Sequence, residues 1–219
     1  MEPYYTFHHE LIKLNKKILK LSAMVEDRVR KAASVIQSQD NEIIQYLILS
    51  DYEVDEMEVE IEEDCLKILA LHQPVAGDLR FLITVIKINN EIERIADMAV
   101  SIAMRVQAIA NNRHTLPSPI DFQPMSEKVI TMLKMSLDAL VNRDAAMARG
   151  IFHLDDEVDA FRNSVYEKVK DLIRKFPEHP GLLINTYLLA RHLERIADRA
   201  TNIAEEVIYL VEGSIVRSQ

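Results

Sequence analysis

The sequence predicts an all-α protein in which six long helices form two similar three-helix bundles in tandem. Three observations carry this expectation. The 219 residues include only 4 Gly and 7 Pro, too few for a turn-rich β fold. Hydrophobic residues make up 48% of the chain and recur at alternating spacings of four and three, the stripe of a helix packed on other helices. One pentapeptide also occurs twice: Glu93-Arg94-Ile95-Ala96-Asp97 returns 101 residues later as Glu194-Arg195-Ile196-Ala197-Asp198. The likeness continues through Ala103 and Ala204, as an internal duplication requires.

The first helix is expected over Tyr5–Ser38, with a seam of Leu11, Leu14, Ile18, Leu21, Val25, Val29, Ala32 and Ile36. Its opposite face carries Lys13, Lys16, Lys17 and Lys20, a solvated face on which an acidic partner could dock. Asp40 is placed to cap a second helix running to about Leu71. That helix holds nine acids between Asp51 and Asp64 and no Lys or Arg among them. Pro74 ends it and can open the next helical turn. The third helix runs from about Ala76 to Asn112, and the stretch to Gln123, with Pro117 and Pro119, reads as a linker. The domains are therefore expected at 1–113 and 124–219, joined by 114–123. The second half repeats the plan. It has helices over about Pro124–Val141, from the Asp144 cap to Phe176, and over Leu182–Val211.

Each third helix bears two seams. In the first half Phe81, Val85, Ile88, Ile92, Ile95, Ala99, Ile102, Val106 and Ile109 form an uninterrupted one. Leu79, Ile83, Ile86, Asn90, Glu93, Asp97, Val100 and Met104 form another whose middle is polar. Residues i and i+4 share a helix face, so Glu93 and Asp97 stack, as do Glu194 and Asp198. The second helices supply Asp51 with Asp55, and Asp155 with Asp159. Like charges one turn apart repel, and an isolated buried carboxylate is costly. Such groups must be protonated, paired with Arg or Lys, solvated, or bound to a cation. All-oxygen ligands on facing helices suit iron, manganese, zinc or magnesium.

Net charge of −9 and the lack of a basic patch argue against a nucleic-acid binder. The single Cys65 excludes an internal disulfide framework, suits a reducing cytosol and reads as a core residue. No signal peptide or transmembrane run is evident, so any membrane association is expected to be peripheral. No Glu has a His three residues on, which counts against an oxygen-activating di-metal enzyme. Nucleotide loops and nucleophile motifs are absent as well.

The chain resembles the PhoU family over nearly all its length. The resemblance rests on Gln73-Pro74-Val75-Ala76-Gly77-Asp78-Leu79-Arg80, on the two Glu-Arg-Ile-Ala-Asp copies and on the paired acids of the second helices. Ala96 and Ala197 stand where the family usually has Gly. The resemblance implies a non-catalytic, cytoplasmic, metal-binding negative regulator of phosphate uptake and of the phosphate regulon. The implied ligands are Asp51, Asp55, Glu93 and Asp97 in one half and Asp155, Asp159, Glu194 and Asp198 in the other, with iron or zinc the first choices. The implied partners are the ATPase subunit of the phosphate ABC transporter and the sensor histidine kinase PhoR. Homodimerisation is left open. The competing reading is a metal-dependent, carboxylate-bridged helical enzyme acting on a small phosphate or oxygen species.

Overall fold

The computed structural model describes residues 2–112 and 120–217, and the expected linker residues 114–119 lie outside that range. The helices are α1 (Glu2–Ser38), α2 (Asn41–Leu49), α3 (Tyr52–His72), α4 (Ala76–Ala110), α5 (Gln123–Asn142), α6 (Ala145–Arg149), α7 (Phe152–Lys175) and α8 (Pro180–Glu212). They make up six rods, as expected. The second and fifth rods are each broken by one turn, at Ser50-Asp51 and at Gly150-Ile151, where the sequence reading had run the helix through. At the first break Ser50 Oγ donates to the Tyr46 carbonyl at 2.7 Å, closing α2, and Glu53 N–H then bonds Ser50 O at 3.2 Å to restart the chain as α3. On the register that aligns Asp51 with Asp155, the second break comes about one turn earlier than the first. Both expected caps are present. The Asp40 carboxylate accepts from Glu42 and Ile43 N–H, and that of Asp144 from Ala146 and Met147 N–H.

The seam of α1 is buried at Leu14, Ile18, Leu21, Val25, Val29 and Ala32, and Val35 lies deeper than the expected Ile36. Arg28 belongs to the same stripe and is only 1% exposed. The uninterrupted seam of α4 is core from Val85 to Val106. Its polar seam is not: Leu79, Ile83 and Met104 are exposed, so Glu93 and Asp97 lie along a half-open groove rather than in line with core residues. The second buried stripe of α4 is instead Leu82, Asn89, Ala96 and Ala103.

Asn89 of that stripe faces α3, its Nδ2 donating to the Glu58 carbonyl at 2.8 Å. Helices α4 and α8, the repeat-equivalent third rods, form the most extensive helix–helix contact in the molecule. Lys87 Nζ reaches Glu206 Oε1 at 2.9 Å, Arg199 Nη1 reaches Glu91 Oε2 at 3.2 Å, and Arg105 Nη1 donates to Asn185 Oδ1 at 3.4 Å. Partner numbers rise along one helix and fall along the other, so the pair is antiparallel. This register brings Ala96 level with its own repeat equivalent Ala197, and both are buried. Ala99, Ala103, Ala190, Ala200 and Ala204 are buried as well. Buried alanines let a neighbouring helix approach closely as well as favouring helix. None of the described helices is long and apolar enough to cross a membrane.

Candidate functional site

The structure gathers the eight expected carboxylates into two clusters of four, one on the α3–α4 face and one on the α7–α8 face. The broken rods position half of each set. Asp51 is the N-cap residue of α3 and Asp55 lies in its first turn; Asp155 lies in the first turn of α7. A helix start presents unpaired N–H groups and the positive end of the helix dipole, so it tolerates carboxylates that a helix middle would repel. Glu93 and Asp97, and Glu194 and Asp198, come from the middles of α4 and α8.

In the first cluster, burial and mutual repulsion hold the carboxyls above their ordinary range. Burial is the largest cause for Asp51, followed by the charges of Asp55 and Asp97, with Arg28 opposing. Burial likewise leads for Glu93, followed by Asp97, and for Asp97, followed by Asp55; Arg94 opposes both. Glu58, one turn beyond Asp55, joins the group and is itself raised by burial and by Glu62 and Asp55. Arg28 closes one end. Its Nη2 donates to the Ser50 carbonyl and lies 3.4 Å from Glu53 Oε2, and its Nη1 lies 3.6 Å from Asp51 Oδ1. Asp51 Oδ1 is buried and without a hydrogen-bond partner.

The second cluster has the same carboxylates and a different balance. Asp155 is pushed up to about 6 by burial and then by Asp198 and Asp159. Glu194 and Asp198 are raised chiefly by burial, with the next cause being Asp198 for the former and Asp159 for the latter. The position matching Glu58 is Arg162. Its Nη2 stands 3.0 Å from Glu194 Oε1 and 3.2 Å from Asp159 Oδ1, bridging α7 to α8 within the cluster. One repeat therefore adds a fifth carboxylate where the other adds a guanidinium.

Hard cations match the all-oxygen donor set. Among the described residues no three His, Cys, Asp or Glu side chains already stand in an arrangement that could hold a metal ion. The first cluster nonetheless fits such an ion. Its acids are raised by one another, and the buried Asp51 Oδ1 lacks a donor. The second would have to surrender the Arg162 bridge. Sequence reasoning missed both arginines. Arg28 had a signal, since it continues the spacing Leu21, Val25, Arg28, Ala32; Arg162 reads simply as an i,i+3 partner of Asp159.

The remaining titratable candidates fall away. The Cys65 thiol is buried and pushed up to about 12 by burial and by Asp64 and Glu62, so it stays protonated at neutral pH. His153 is exposed and lies 3.5 Å from Glu157. His192 is held down to about 4 by burial and by Arg105, Arg195 and Arg191, and its ring nitrogens have no hydrogen-bond partner. It packs as a neutral ring.

The sequence is similar to known proteins along nearly its whole length. It is 33% identical to the phosphate-specific transport system accessory protein PhoU homolog of Aquifex aeolicus, over 96% of this chain and 95% of that one. It is 31% identical to the protein of the same name from Clostridium acetobutylicum, over 96% of each. The fold matches the crystal structure of PhoU from Pseudomonas aeruginosa with a TM-score of 0.91 and 31% identity, covering 95% of this chain and 100% of that one. The structure of the phosphate transport system regulatory protein PhoU from Streptococcus pneumoniae matches with a TM-score of 0.85 at 27% identity, over 96% and 99% of the two chains. The PhoU domain model matches twice, at residues 18–106 and 122–207, and the chain belongs to the PhoU family.

Proposed function

We propose that the protein is a non-catalytic regulator of phosphate uptake. On this reading it restrains the phosphate ABC transporter through the ATPase subunit and holds the sensor kinase PhoR inactive when phosphate is plentiful. Both partners present cytoplasmic surfaces, so the protein would work in the cytoplasm. One observation carries the reading: both repeats match end to end with relatives named as accessory proteins of phosphate-specific transport. Asp51, Asp55, Glu93 and Asp97 would hold a metal ion, with iron or zinc preferred, and the second set would do so once Arg162 swings away. A bound cation would neutralise the crowded carboxylates and fix α3 against α4. The chain's own residues do the rest, Arg28 anchoring the α2–α3 break and Arg162 tying α7 to α8.

The test is alkaline phosphatase activity in phosphate-rich medium, in a strain lacking the gene and in the complemented strain. High activity in the deletion alone is expected; equal, low activity in both strains would overturn the negative-regulator reading. Metal content is a separate measurement. Elemental analysis of the wild type should give metal that falls in Asp97→Asn with helicity kept. A metal-free wild type purified without chelator would leave the clusters as proton-sharing carboxylates.

A further inference from the structure

We propose that the groove between the N-terminal end of α4 and the C-terminal end of α8 binds a small ligand carrying a multiply charged phosphoryl group. The groove has a volume of about 730 Å³, within the range of small-molecule sites. It lies on the seam between the two halves, with α1 on one wall and the C-cap of α5 on the other. Lys16, Arg80 and Arg143 converge on it from three helices, against a single acid, Asp78. In a chain of net charge −9 this is a local reversal of sign.

The cations are available. Many basic groups elsewhere are engaged, as in Lys17 with Asp64 at 2.7 Å and Arg149 with Glu212 at 2.6 Å. Among the described residues no carboxylate pairs with Lys16, Arg80 or Arg143, and the buried Nε of Arg80 has no hydrogen-bond partner. Two of the three are held in place by contacts that leave their charge unmatched. The Arg143 guanidinium lies 5.6 Å from the centre of the Phe81 ring, reaching across from the second half to the first. The guanidinium of Arg80 lies against Gly213, where a Cβ would come within 2.4 Å of its Nη1. Gly213 has φ +73° at the end of α8. Glycine there serves both the left-handed turn and the passage of the arginine.

Phosphoryl chemistry is the best match to this set. Two arginines offer forked donors that suit phosphate oxygens, and Lys16 adds a point charge. Gly77, in the first turn of α4, contributes open backbone with nothing within 4 Å of where a Cβ would lie. Phe81 and Leu11 give an apolar flank for the rest of the ligand. The opposite end of the α4–α8 pair has its own groove, of about 540 Å³, lined among the described residues by Asn112, Glu178, His179, Pro180, Gly181 and Leu182.

The test is isothermal titration of the full chain, stripped of metal by chelation so that the carboxylate clusters cannot bridge to phosphate. The probes are orthophosphate, pyrophosphate and ATP. Saturable 1:1 binding of at least one is expected, weakened at least tenfold in Arg80→Gln and in Arg143→Asn, and unchanged in Lys13→Gln. Preference for ATP would identify a nucleotide, and equal binding of pyrophosphate would identify the phosphoryl group alone; either supports the site. Arg80→Lys keeps the charge and should retain part of the affinity, with an unchanged melt as the control for folding. The proposal is overturned if no probe binds, if binding survives both arginine substitutions, or if a poly-glutamate peptide binds as well as pyrophosphate.

Discussion

Arg28 is the residue on which the first half turns. It is buried in an otherwise apolar stripe, and its guanidinium meets the Ser50 carbonyl exposed by the α2–α3 break. Arg28→Leu should cost about 1.5–3 kcal/mol in urea denaturation, the worth of a hydrogen bond from a charged donor, while the Ser50 carbonyl keeps its bond from Glu53 N–H. The ion-pair part is small because Asp51 and Glu53 keep contact with water. A wild-type urea midpoint would mean that water replaces the guanidinium without loss. Titration gives a second prediction. Asp155 holds its proton to about 6 in the folded chain against 3.8 when free, so the folded state binds more protons between those values. Stability of the metal-free protein therefore falls as pH rises from about 4 to about 6. Asp155→Asn should melt above wild type at pH 7 and level with it near pH 4; a gap that does not change with pH would place the cause in packing. His192 works in the opposite direction, since its folded value near 4 lies below the free 6.5 and stability is lost as pH falls through that window. The carboxylates were legible in the sequence because i,i+4 spacing and duplication mark them. Arg28 and Arg162 were not, because a helical stripe can step by three or by four and an i,i+3 ion pair is ordinary on a solvated face.

At the scale of elements, the caps and rods followed from sequence while the breaks did not. Ser50-Asp51 contains neither Gly nor Pro, and the apolar spacing continues across it, so nothing in the periodicity announces a restart. A side chain bonding back to a carbonyl and a buried arginine at the break supply the cause, and both depend on tertiary placement. The caps can be tested directly. Asp40→Ala and Asp144→Ala should each cost about 1 kcal/mol. They lie in different halves, so the double variant should lose about the sum. A double variant no weaker than either single one would show that the two second rods share one unfolding step that the caps do not limit.

On the scale of the whole molecule, the antiparallel pairing of α4 with α8 joins the halves. Within the first half, periodicity pointed to the wrong second buried stripe on α4. The stripe with large apolar residues and carboxylates stays half open, and the one with Ala96, Asn89 and Ala103 is buried. Alanines and a buried Asn carry little hydrophobic signal on their own, and their meaning emerges only when a second helix is laid on them. Ala197→Leu should overpack the buried face of α8 and cost about 1–3 kcal/mol, read as a lower urea midpoint with helicity kept. A neutral effect would show slack between the helices. The pairing also has a cost in time. The α4 face that meets α8, marked by Lys87, Glu91 and Arg105, is complete once residue 110 has been made, but its cover α8 ends only at Glu212. At ordinary translation speeds the nascent first half waits on the order of ten seconds with that face bare. The ribosome thus presents a half-molecule whose natural complement is its own unborn copy, and two neighbouring chains on one message could satisfy each other first.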